Sequence, residues 1–127
     1  MVQGVSAVFG RTTPLLHWPP IKVYTRDTGR QSFQVMDLLY AQAEANYSWL
    51  NWADGQRMLL PRPLNYYVAK LPPECFIRLH RNCLVNRYYV HHLERTDQGG
   101  LVYLTTGEAL PVSRRRWGAI YHQLQCF

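Results

Sequence analysis

Residues 76–90, FIRLHRNCLVNRYYV, decide how this chain is read. Phe76, Ile77, Leu79, Leu84 and Val85 are apolar enough for a core, yet Arg78, His80, Arg81, Asn82, Asn86 and Arg87 stand among them. FIRLH reads as a strand, with side chains pointing to opposite faces in turn. Alternation breaks after His80, and a turn-rich piece follows. Asn82 and Asn86 suit turns because their side-chain amides can satisfy nearby backbone groups. Asn86 is therefore read as structural in preference to ligand-binding. Arg81 has no acidic neighbour in sequence and is better explained as reaching outward to a base or a phosphate. Donors set into an apolar stretch have two explanations: they hold a turn together, or they face a partner whose surface is made of acceptors.

Short strands flank this stretch on both sides. Upstream, IKVYTR and RQSFQV enclose Asp27-Thr28-Gly29, a hairpin signal, and MDLLYAQA follows. YSWLNW and QRMLL are separated by Asp54-Gly55, a second hairpin turn. PRPLNYYVAKLPP predicts one short helix: Pro63 suits a first turn, Leu64, Tyr67, Val68 and Leu71 recur at helical spacing, and Pro72-Pro73 stops it. Downstream come the strand VHHLERT, a Gly99-Gly100 turn, then LVYLT and EALPV. The ending SRRRWGAIYHQL predicts a helix with Trp117, Ile120, Tyr121 and Leu124 on one docking face.

At 127 residues the chain is one domain's worth, and 47% hydrophobic with 17% charged residues describes a globular protein. Residues 1–19 lack periodicity and read as a loose leader or linker remnant, leaving residues 20–127 for the domain. No run approaches the ~20 apolar residues of a membrane span, and no signal peptide is evident. A cytoplasmic protein is expected, with no membrane partner. Cys75, Cys83 and Cys126 match no zinc spacing and read as free thiols.

The charge is one-sided. The net +6 falls entirely in residues 57–127, and twelve of the fourteen basic residues are Arg. Arg offers a rigid donor fork that suits phosphate oxygens and base edges. Ser113-Arg114-Arg115-Arg116 sharpens the point. Ser113 is a good N-cap, but the first helical turn after it favours acids, because the helix dipole is positive there. Three arginines at that end cost a few tenths to ~1 kcal/mol each when exposed. Beside an anion the same placement becomes favourable. Solvated arginines remain the alternative; the anion site is preferred.

Catalysis finds little support. His80 and Cys83 are three apart, but no third orienting group is apparent and the acids are scattered. His91 and His92 alternate along a strand, so only one can point inward, and no paired metal site is expected. No catalytic residue, metal or cofactor is assigned. Tyr47, Trp49 and Asn51 share one strand face, and Ser48, Leu50 and Trp52 the other. One face packs a core; the other is left open between a dimer contact and base stacking.

FIRLHRNCLVNRYYV, the later LPVSRRRW, the earlier MDLLYAQAEANYSWLNWADG and the PLNYYVAKLPP helix occur in the order seen in LytTR-type DNA-binding domains. The resemblance covers about residues 20–125. Its signature is a phenylalanine followed by Arg-x-His-Arg, then Val-Asn, then Pro-Val-Ser-Arg-Arg, and it is specific when all parts co-occur. The resemblance implies a mainly β fold, an elongated stack of small antiparallel sheets with one short internal helix and a C-terminal helix. Such domains insert loops into successive major grooves, usually as response-regulator outputs on promoter direct repeats. Carried onto this sequence, base contacts fall on Asn46, Tyr47, Ser48, Arg81 and Arg115. Arg78, His80, Arg87, Arg114 and Arg116 become phosphate or supporting contacts, while Asn86 and Ser113 organise the loop and the helix start. The implied partner is double-stranded DNA, bound by a homodimer on tandem sites to regulate transcription. Twenty leader residues cannot hold the receiver domain that many relatives carry. Either the chain is cut from a longer protein or the natural protein stands alone, which leaves a regulatory protein as a further partner. The Trp49/Trp52 strand is bulkier than the family suggests. The rival expectation is therefore a protein-interaction module anchored on Tyr47, Trp49 and Trp52.

Overall fold

A computed structural model describes residues 18–125. The leader reading for residues 1–17 and the thiol at Cys126 lie outside the described residues. Among the described residues ten strands form three antiparallel sheets. β1 (Ile21–Thr25) pairs with β2 (Gly29–Phe33), closed by the turn at Asp27-Thr28 that the sequence predicts. β3 (Leu38–Glu44), β4 (Tyr47–Trp52), β5 (Arg57–Leu60), β6 (Phe76–His80) and β7 (Cys83–Asn86) form a five-stranded sheet in the order β5-β4-β3-β7-β6. β8 (Val90–Thr96), β9 (Gly99–Leu104) and β10 (Ala109–Ser113) form the third. Among the described residues there are two α-helices, α1 (Leu64–Val68) after β5 and α2 (Arg114–Gln125) after β10. The fold is the expected mainly β stack with one short internal helix and a C-terminal helix.

The five-stranded sheet is the middle layer, and the pleat sorts its residues to two cores. Leu38, Ala41, Leu50, Trp52, Phe76 and Leu84 pack with β1 and with Leu64 and Tyr67 of α1. Leu39, Tyr40, Ile77, Leu79, Cys83 and Val85 pack with Val102, Leu110, Val112, Ile120 and Leu124 of the third sheet and α2. A sheet buried on both faces needs apolar residues at consecutive positions, which is what β3 and β7 carry. Ile120 and Leu124 therefore seat α2 as the helical spacing predicts, whereas Tyr121 stands exposed at the edge of that face.

Three local expectations are corrected. The piece after His80 is not all turn: Cys83–Asn86 is a fully buried central strand between β3 and β6. Only Arg81 and Asn82 make the connection. Gly99 and Gly100 do not form the turn; Asp97 and Gln98 do, and both glycines begin β9. The reason is packing, because a β-carbon on Gly100 would run into the Trp117 ring, and one on Gly99 into the backbone at Val112 and Arg114. Finally, a register shift between Val90 and His92 disrupts strand alternation. His91 and His92 both stay exposed, with their Nδ1 atoms 2.8 Å apart. Among the described residues no group of three or more His, Cys, Asp or Glu side chains is placed to hold a metal ion. No described helix is long and apolar enough to cross a membrane.

Candidate nucleic-acid interface

The β3–β4 turn and the β6–β7 turn lie at the same end of the five-stranded sheet. Register fixes this: Gln42 pairs with Cys83, and the Ala43 N–H donates to the Asn82 carbonyl at 2.9 Å. At the β3–β4 tip Glu44 faces Tyr47, leaving Ala45 and Asn46 as a two-residue loop with Ala45 at φ 54°. Asn46 and Tyr47 project from that tip, exposed.

Ser48, one residue further on, does not project. It is fully buried, and its hydroxyl donates to the Arg62 carbonyl at 2.7 Å. The base contact assigned to Ser48 is corrected to a tie between β4 and the entry to α1.

The β6–β7 turn is built from its own arginine. Arg78, half-buried, donates from Nε to the His80 carbonyl at 3.2 Å and from Nη2 to the Arg81 carbonyl at 2.5 Å. Its Nη1 reaches Asn65 Oδ1 at 3.4 Å. The guanidinium is thus committed to holding the turn. The His80 ring completes it, since the Asn82 N–H donates to Nδ1 at 3.1 Å, which leaves Nε2 to carry the ring proton. Burial pushes the His80 pKa below its ordinary value, and the nearby charges of Arg116, Arg78 and Arg81 push it the same way. His80 is therefore a neutral donor among cations.

α2 meets this turn at its first residues. Trp117 lies on Gly100 of β9, and the Arg116 N–H donates to Ser113 Oγ at 3.3 Å, closing the helix start. His80, Arg81, Asn82, Ser113, Arg115 and Arg116 line one concavity of about 340 Å³. Among the described residues neither Arg81, Arg115 nor Arg116 pairs with a carboxylate. Arg114 turns away and donates to the Asp97 carbonyl at 2.6 Å. Asn82, read from sequence only as a turn residue, also lines the concavity; its residue type alone could not show that.

Two of the singled-out residues lie elsewhere. Asn86 is fully buried, its amide donating to the Leu38 carbonyl at 2.9 Å and its oxygen accepting from the Tyr88 N–H at 3.0 Å. Arg87 bridges the Glu74 carbonyl at 2.7 Å and the Gln123 carbonyl at 2.9 Å, near the far end of α2 from the arginine cluster.

The aromatic strand also resolves. Trp52 is only 2% exposed and stacks on Phe33 with ring centroids 4.6 Å apart, so it belongs to the core. Trp49 is half-buried, donates to Glu44 Oε1 at 2.6 Å and carries the Arg57 guanidinium over its ring at 3.9 Å. Of the three suggested protein-docking anchors, only Tyr47 is exposed by itself.

Comparison with known proteins agrees with this architecture. The chain aligns with the LytTr DNA-binding domain of a Bacillus cereus methyl-accepting/DNA response regulator at a TM-score of 0.71. The alignment covers 86% of this chain and 98% of that one at 23% identity, a likeness of fold. Fold and sequence together define a DNA-binding domain, since residues 30–125 match the family model of the LytTr DNA-binding domain. The chain belongs to that family.

Among relatives, the positive alginate biosynthesis regulatory protein of Pseudomonas aeruginosa is 34% identical over 102 residues, 76% of this chain and 40% of that protein. The CO-responsive transcriptional regulator RcoM of Rhodospirillum rubrum is 29% identical over 79 residues, 61% of this chain and 33% of that protein. The chain thus spans less than half the length of either regulator.

Proposed function

We propose that this domain reads double-stranded DNA in the cytoplasm with loops and a helix start, as the output module of a transcription regulator acting on promoter direct repeats. The observation that carries this reading is the concavity where Arg81, Arg115 and Arg116 converge without a carboxylate beside neutral His80. Uncompensated guanidinium groups gathered at a positively polarised helix end favour a polyanion. The sheet order supports a geometry as well. The β6–β7 turn lies between the β3–β4 tip and the start of α2, so a duplex laid along this row meets Asn46 and Tyr47, then Arg81, then Arg115. A two-stranded ribbon fits a major groove, and with the duplex curved toward the row its outer members enter successive grooves. Arg81 and Arg115 read base edges, Asn46 and Tyr47 add contacts from the neighbouring tip, Arg116 and the His80 Nε2–H hold phosphates, and Arg114, tied to the Asp97 carbonyl, supports the helix start. Arg78 and Ser113 support this surface. Tandem half-sites imply two copies on one promoter, and the signal comes from another domain or protein.

The test is selection of bound sites from random duplexes, followed by titration of the enriched site at two salt concentrations. A directly repeated motif and affinity that falls with salt are expected. Absence of salt-linked duplex binding would leave the protein-interaction reading in its place.

A further inference from the structure

A second group of cations lies at the same end of the domain, on the other side of the five-stranded sheet. Arg62 and Lys70 both approach the ring of Tyr66, with the Arg62 guanidinium 4.6 Å and the Lys70 ammonium 4.9 Å from its centroid. All three residues are exposed, and among the described residues neither cation is paired with a carboxylate. Two exposed cations gathered at one ring concentrate positive charge, which a polyanion can neutralise with release of its counterions.

Hydrogen bonds fix where this group sits. The Arg62 carbonyl accepts from Ser48, which directly follows the exposed tip residues Asn46 and Tyr47. Asn65 accepts from the same Arg78 guanidinium that holds the Arg81 carbonyl. Leu64 and Tyr67 of α1 pack into the first core, whereas Ile120 and Leu124 of α2 pack into the second. Arg62, Tyr66 and Lys70 thus flank the two turns from the side opposite Arg115. The main chain at Lys70 is held: its carbonyl accepts from Trp18 Nε1 at 2.7 Å, and its N–H donates to the Tyr67 carbonyl at 2.9 Å. Little backbone entropy remains to be lost on binding.

We propose that Arg62 and Lys70, braced on Tyr66, form a backbone-phosphate clamp, so that a duplex at the turns is held from both sides of the sheet. The proposal rests on the DNA-reading function given above. It assigns these residues affinity without sequence choice, because phosphate contacts position a protein and carry no base information.

The experiment compares the full chain with R62Q/K70Q, which keeps the side-chain stems and removes both charges. Anisotropy titrations use the selected site and a random duplex over a series of KCl concentrations. The expected result is a similar fold-loss on both duplexes, an unchanged preference for the selected site, and a log–log salt slope shallower by about 1.8. The charge-preserving variant R62K retains the parent slope. An unchanged slope in R62Q/K70Q, with the parent still binding, overturns the clamp alone. A parent with no salt-linked duplex binding overturns the clamp and the DNA-reading function together.

Discussion

The guanidinium of Arg78 donates to the main-chain carbonyl of Arg81 at 2.5 Å, so one arginine is spent inside the turn to present another outside it. The two are three residues apart, similar in composition terms and opposite in use. Arg78 gives three hydrogen bonds to the protein, and Arg81 is exposed in the concavity with Arg115.

That division separates two variants. Arg81→Ala and Arg115→Ala should each cost about 1–3 kcal/mol on the selected site and relax preference at one base position, as loss of a bidentate base contact does. Hydrogen exchange at the Asn82 amide should stay at the parent rate. Arg78→Ala should weaken binding at least as much while the Asn82 amide exchanges faster, because the turn itself loosens. Binding by Arg78→Ala at parent affinity would remove the turn-holding role.

His80 predicts a pH dependence with a definite sign. Its folded pKa is pushed below the unfolded value by burial and by Arg116, Arg78 and Arg81. In the window between the two values the unfolded chain binds the extra proton, so stability rises with pH there. The contribution is fully present above about 6.5, the ordinary histidine value, and is lost as pH falls from there toward the folded value. His80→Asn can keep an acceptor for the Asn82 N–H without titrating. Thermal unfolding at pH 8 and pH 5 should show a larger acid loss for the parent than for His80→Asn; equal losses would contradict the depressed value.

Asn86→Ala should destabilise the fold by about 1–3 kcal/mol in urea, because it removes the amide that satisfies the buried Leu38 carbonyl and the oxygen that accepts from the Tyr88 N–H. Ser48→Ala should cost about 1 kcal/mol through the Arg62 carbonyl. With both proteins kept fully folded, duplex affinity should match the parent. A base-specific binding loss in Ser48→Ala would restore the contact that its burial excludes.

Gly100→Val places a branched side chain where the Trp117 ring lies. About 1–3 kcal/mol of overpacking cost is expected, with a shifted Trp117 indole resonance and weaker duplex binding as the start of α2 moves. An unmoved indole signal would mean the ring does not seat the helix.

The hairpins at Asp27-Thr28 and Asp54-Gly55 and the two described α-helices were legible because each has a local cause: turn residues or helical spacing. What local reading missed depends on the third dimension. β7 looked like loop because Asn82 and Asn86 bracket it, yet Cys83, Leu84 and Val85 form a run that serves two cores at once. Ser48 looked available beside exposed Tyr47, and only its partner at Arg62 explains its burial. The glycine pair looked like a turn because what requires it lies further along the chain: the Trp117 ring over Gly100 and the backbone at Val112 and Arg114 over Gly99. Arg78 and Arg81 carry the same side chain, so the sequence could nominate both without showing which faces inward.

The middle sheet divides its residues between two cores with no member in common. Volume lost on one side is therefore not refilled from the other, and the mutational costs should sum. Leu50→Ala and Val102→Ala lie on opposite sides, and their double variant should lose the total of the single losses to within about 0.5 kcal/mol. Each side of such a domain can drift independently over generations while the strand tips between them keep their place.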